Sequence, residues 1–150
     1  MPRVLIIAYG NPLRSDDGVA WRAADALQRK FSGSRVEVIT LHQLGPELAE
    51  AVSRARAIVF VDASSQGEPG RIQCEPVRTE GTEINRLTHA VSPAAVMALA
   101  SQLYGPRPPA FCATVTGQNF GHGETLSPVV EAAVPVLIER IEELARSLLL

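Results

Sequence analysis

The apolar positions of this chain fall into short continuous runs that alternate with segments of helical period. Residues 4–8 form an unbroken apolar run stopped by Gly10, Asn11 and Pro12, the pattern of a strand buried on both faces and ended by turn chemistry. Beyond that turn Ala20, Ala23, Ala24, Leu27 and Phe31 recur at helical spacing, and Ser32-Gly33 closes the segment. Asp16 stands where an N-cap belongs, so the first helix is predicted to start near Asp17. Val36, Val38 and Thr40 alternate with other residues over 35–41 as a second strand, and Pro46 opens a predicted helix that runs to about Arg56.

Residues 57–61 make a third apolar strand, ending at Asp62. The small, polar stretch 63–70 reads as a loop into a further strand over 71–77, and 78–91 has no clear period and reads as a surface loop. Ser92-Pro93 is an N-cap and first-turn pair, after which Val96, Leu99, Ala100 and Leu103 give a helix its buried stripe, ended by Gly105 and Pro106. A last strand covers 111–115, a loop follows over 117–125, and Ser127-Pro128 starts a long terminal helix to about Leu148. Pro135 is expected to break or kink that helix, because it lacks an N–H and clashes with the preceding turn.

Strands alternating with helices imply an α/β fold: one domain over residues 1–150, a doubly wound, mostly parallel sheet of about five strands with helices on both faces. In such sheets ligands bind beyond the carboxyl ends of the strands, where strand order reverses, and both 11–17 and Asp62 follow strands expected to meet there. A length of 150 residues suits one core, and a composition of 46% hydrophobic and 20% charged residues suits a compact globule. The formal net charge of −2 provides no field to gather nucleic acid or an anionic membrane, so neither partner is expected. The first residues lack a signal-peptide core, and no apolar run approaches the roughly 20 residues of a membrane span, so a soluble cytoplasmic protein without membrane insertion is expected. Cys74 and Cys112 fall in separate strand-like segments and are expected to be reduced, buried thiols.

The turn Gly10-Asn11-Pro12-Leu13-Arg14-Ser15-Asp16-Asp17-Gly18 lacks the glycine spacing of a dinucleotide fingerprint and the Gly-Lys-Ser/Thr of a P-loop. Two adjacent acids at the mouth of a helix repel phosphate and favour a cation, although Asp16 also fits a helix cap and Asp17 a residue that merely suits the helix dipole. Asp62 at a strand end fits a plain turn former too, but its position makes it face the same crevice as Asp17, and like charges gathered there call for a cation or a shared proton. His89 fits an ordinary surface residue of a loop as well, but just before a helix start an imidazole is biased toward the neutral form that binds metals. Two carboxylates and an imidazole make an oxygen/oxygen/nitrogen set compatible with zinc, nickel or iron. His42 is a further candidate, though an ordinary surface residue fits it as well. His122 reads as an exposed loop residue, and Trp21, beside the first helix's stripe, reads as an edge-of-core residue, although it also fits part of a partner surface.

The stretch 4–20, with Gly10-Asn11-x-Leu13-x-x-Asp16-Asp17-Gly18, resembles the signature of the hydrogenase maturation proteases. The similarity continues through Ile58-Val-Phe-Val-Asp62-Ala63, Glu68-Pro69-Gly70, Thr88-His89 before Ser92-Pro93, and Leu126-Ser-Pro. The resemblance implies an aspartic-type endopeptidase that removes the C-terminal extension of a nickel-iron hydrogenase large-subunit precursor. It places the metal ligands and catalytic residues at Asp17, Asp62 and His89. It also implies that the nickel arrives with the precursor, that zinc or cadmium can replace it in crystals, and that the general base is left open, with Asp16 a nearby candidate. The chain departs from the pattern at Ala20, often a glycine, at Ala94, where some members carry their histidine, and at 42–46, where members often carry a Gly-rich stretch tied to substrate choice. Two other functions fit the same scaffold: a different metal-dependent hydrolase, or a non-catalytic binding module for hydrogenase assembly.

Overall fold

A computed structural model describes residues 2–78 and 91–150. His89 and nearly all of the 78–91 loop lie outside the described residues. The chain runs β1 (Val4–Tyr9), a 3-10 turn (Ser15–Gly18), α1 (Val19–Lys30), β2 (Val36–Leu41), α2 (Leu48–Arg54), β3 (Ala57–Ser64), β4 (Ile72–Pro76), α3 (Pro93–Tyr104), β5 (Ala110–Thr116) and α4 (Pro128–Leu148). The strands form one sheet in the order β2-β1-β3-β5-β4. β1 pairs in parallel with β2 and β3, and β3 with β5, whereas β4 lies antiparallel at the edge.

Because side chains alternate along a strand, each central strand feeds two cores. Val4, Ile6 and Ala8 of β1 and Val59 and Val61 of β3 pack under α1 and α4, while Leu5, Ile7, Ile58 and Phe60 pack under α2 and α3. This is why β1 and β3 read as continuous apolar runs. Small residues at Ala20, Ala23 and Ala24 bring α1 close to the sheet, and Leu27 fills the far end of that stripe at no exposure. Arg29 and Lys30 in its last turn suit the helix dipole. Ser92 caps α3 as the pattern predicts, its Oγ accepting from the Ala95 N–H at 3.1 Å.

Several local expectations are corrected. The first helix starts at Val19 and not near Asp17, because Ser15–Gly18 winds into a 3-10 turn ahead of it. The second helix covers only Leu48–Arg54, since Gly45 and Pro46 are used in a tight turn in which their carbonyls accept from Leu48 and Ala49. Asp62 lies inside β3, whose pairing with β5 continues to Ser64 opposite Thr116. Pro135 does not break α4, which is one helix from Pro128 to Leu148. The proline is exposed, so the helical acceptor it deprives of a partner faces water, while Val130, Val134, Leu137 and Ile141 anchor the helix on both sides of it. Cys74 is exposed rather than buried, because β4 is an edge strand, and Cys112 on β5 is half-buried; both are free thiols.

Candidate functional site

Strand order reverses between β1 and β3, the neighbours that lead to the Asn11–Asp17 turn and to Asp62. The backbone after β1 folds back tightly. Gly10 has φ +143°, and a Cβ placed on it would collide with the carbonyl oxygen of Asp17. Gly18 lies against Pro12 closely enough that a Cβ there would sit 2.8 Å from its Cα. Only glycine allows both approaches, and together they return Asp17 to the end of the strand it left. The Asn11 N–H donates to Asp17 Oδ2 at 2.8 Å, and the Asn11 side chain accepts from the Leu13 N–H at 2.9 Å. The half-buried Asp17 carboxylate is thus held over the carboxyl end of β1.

Asp62 reaches the same crevice from β3. It shares the α2/α3 face with Ile58 and Phe60, and the register that sets Ala8 opposite Val61 brings Tyr9 beside it. Its Oδ1 accepts from the Ala63 N–H at 2.7 Å. Burial pushes the Asp62 carboxyl up to about 7, the nearby Asp17 charge adds to the rise, and hydrogen bonding from Ala63 and the Tyr9 hydroxyl opposes it. Burial and the charge of Asp62 in turn hold Tyr9 in its protonated form far above the usual phenol range. Cys112, on the same face, is pushed up to about 12 by burial and by the charges of Asp62 and Glu75, so its thiol stays protonated at neutral pH. Tyr9 is a site residue that the sequence reading passed over. Its signal was a phenol ending an otherwise aliphatic strand, where a polar tip needs a partner.

Asp16 does not cap α1, whose first turn has no side-chain cap. The side chain turns away into the loop between β5 and α4. Oδ2 accepts from the backbone N–H groups of Gln118 at 2.7 Å and Asn119 at 2.9 Å and from Ser127 Oγ at 2.7 Å, and Oδ1 accepts from the Ser127 N–H at 2.7 Å. Burial alone would raise its pKa, but these hydrogen bonds outweigh it and hold the carboxyl below its usual range. Ser127, at the N-cap position of α4, donates its hydroxyl to Asp16 and makes no side-chain cap of its own.

Trp21 is half-buried, and its indole N–H is shared between Gly10 O at 3.0 Å and Leu41 O at 3.1 Å, tying the ends of β1 and β2 together. His42, exposed just past β2, packs on that indole with ring centroids 5.1 Å apart. It therefore sits on the rim beside Gly10. His122 is exposed in the loop after β5, as expected.

Asp17 and Asp62 are thus brought together, while the third predicted ligand, His89, lies outside the described residues. Among the described residues no group of three or more His, Cys, Asp or Glu side chains forms a metal-holding set. Two oxygen donors with a repulsive charge pair between them suit a cation that brings other ligands of its own, because binding it relieves both the repulsion and the desolvation of Asp62.

No family model matches the sequence. The hydrogenase expression/formation protein HupD of Thiocapsa roseopersicina is 33% identical over 91 residues, which cover 59% of this chain and 39% of that protein. The [NiFe] hydrogenase maturation protease HybD from Thermococcus kodakarensis superposes with a TM-score of 0.74 at 27% identity, over 95% of this chain and 99% of that one. The hydrogenase maturating endopeptidase HybD from E. coli gives a TM-score of 0.78 over 97% of this chain and 93% of its own, at 23% identity, a likeness of fold.

Proposed function

We propose that this chain, which belongs to the hydrogenase maturation protease family, is an endopeptidase that removes the C-terminal extension of a nickel-iron hydrogenase large-subunit precursor after nickel insertion. The observation that carries this reading is the meeting of Asp17 and Asp62 at the switch point, one carboxylate from the turn after β1 and one from β3 converging on one crevice. Such a pair is a partial coordination sphere, suited to nickel already bound in a substrate and poorly suited to keeping a resident ion. His89 is the third donor in this proposal. The precursor, encountered in the cytoplasm, presents nickel with open positions, and zinc or cadmium can take the same donors in crystals.

Asp17 is held in place by the Asn11 amide, and Asp62 by the Ala63 amide and the Tyr9 hydroxyl, so both donors are oriented before substrate arrives. Anchoring the nickel there sets the precursor's tail beside the crevice, and the nickel supplies the Lewis acidity to polarise a peptide carbonyl or a water. Because recognition depends on nickel, the tail of an unloaded precursor is left uncut.

Asp17→Ala and Asp62→Ala test this directly. Neither side chain belongs to the two hydrophobic cores, so each variant keeps the wild-type circular dichroism and a cooperative melt while the precursor retains its full mass. A variant that still trims the precursor at the wild-type rate would contradict the reading.

A further inference from the structure

A fully buried carboxylate lies next in sequence to Asp17, and its four partners are all in one distant segment, the loop 117–127. Further links join the same two segments. The Ser15 N–H donates to Gly123 O at 2.8 Å and the Gly123 N–H to Leu13 O at 3.0 Å. Ser15 Oγ donates to Gly121 O at 2.9 Å, Arg14 Nε to Phe120 O at 3.2 Å, and the Asp16 N–H to Asn119 O at 2.9 Å. The loop is laid along residues 13–16 like a short added strand.

Ser15 sits at the centre of this seam with φ 52°, a left-handed conformation that a serine holds only when its surroundings enforce it. In the 3-10 turn that follows, successive side chains point about 120° apart, so fixing Asp16 inward fixes Asp17 toward the Asn11 amide and the crevice. A buried charge is costly unless every lone pair is used, and a neutral side chain could tie two loops more cheaply. What the carboxylate adds is a rigid, four-bonded reference point one residue from a site ligand.

We propose that Asp16 is a positioning residue: through it the loop 117–127 sets the orientation of Asp17 and so the geometry of the two-carboxylate site. The inference rests on the reading of Asp17 and Asp62 as nickel donors, and it also makes a claim about Asp17 that needs no metal.

The test compares wild type, Asp16→Asn, Ser127→Ala and a remote destabilised control, Leu137→Ala in the α1/α4 core, all well below their melting temperatures. Nickel(II) affinity is measured by calorimetry, and the exchange rate of the Asn11 amide, which donates to Asp17, by NMR. Asp16→Asn weakens nickel binding at least about tenfold and speeds Asn11 exchange, Ser127→Ala does both to a smaller degree, and Leu137→Ala does neither despite its lower melting temperature. If Asp16→Asn does not fold, Ser127→Ala carries the comparison. Wild-type affinity and Asn11 protection in the Asp16 or Ser127 variant would overturn the proposal, as would equal losses in Leu137→Ala. If the wild type binds no nickel, the nickel-donor reading falls, and the Asn11 amide alone decides whether Asp16 positions Asp17.

Discussion

The protonation of Asp62 offers a quantitative check on the site. Its carboxyl is raised from an ordinary value of 3.8 to about 7, first by burial on the α2/α3 face and then by the charge of Asp17. In the metal-free protein Asp62 is therefore about nine-tenths protonated at pH 6 and about nine-tenths ionised at pH 8. A cation must displace that proton, so the Asp62 contribution to apparent nickel affinity falls about tenfold between pH 8 and pH 6, and about tenfold again by pH 5. The folding linkage has a definite sign. The native state keeps a proton that the unfolded chain has lost, so the stability contributed by this group is fully present below about 4, declines as pH rises to about 7, and then levels off. The assay is a carbon-13 NMR titration of the Asp62 carboxyl in metal-free protein, repeated in Asp17→Asn, where loss of the neighbouring charge lowers the midpoint. Calorimetry in a His89→Gln background removes the imidazole's own titration from the nickel measurement. A wild-type midpoint near 4, or one indifferent to Asp17→Asn, would refute the claim that the two carboxylates share a desolvated crevice.

Asp16 carries the opposite linkage. Its folded pKa is depressed, so its stabilisation is present above the ordinary carboxylate range and lost as pH falls through the folded value; the urea-unfolding gap between wild type and Asp16→Asn, wide at pH 7, should narrow in acid. Gly10→Ala forces a Cβ into the Asp17 carbonyl at a positive φ and should cost about 2 kcal/mol or more, read as a lower urea midpoint with a weakened site. Trp21→Phe keeps most of the ring but removes the N–H shared by Gly10 and Leu41, a loss of about 1 kcal/mol by the same measurement.

What the sequence revealed follows from what is local. The apolar runs of β1 and β3, the Ser92 cap and the Pro128 helix start each rest on residues within a turn of one another, and the chain folds as they indicate. Asp17 and Asp62 could be paired because the strand–helix alternation already implies where a parallel sheet reverses. Asp16 could not be read this way. Its partners lie 102 to 111 residues downstream, and an acid before a helix matches a cap in every local respect. Tyr9 was hidden for a related reason, since the need it answers belongs to a neighbouring strand 53 residues on, the difference between positions 9 and 62. Cys74 looked buried because an edge strand and a central strand can share a composition, and only the pairing order tells them apart.

The central claim is that this chain cuts a precursor whose nickel it grips through Asp17 and Asp62. Incubating the purified protein with nickel-loaded and nickel-free large-subunit precursor, and following the precursor's mass, tests it most directly. The account predicts loss of the C-terminal extension from the loaded form alone. Equal trimming of both forms, or an unchanged mass in a stable complex with the loaded form, would contradict it.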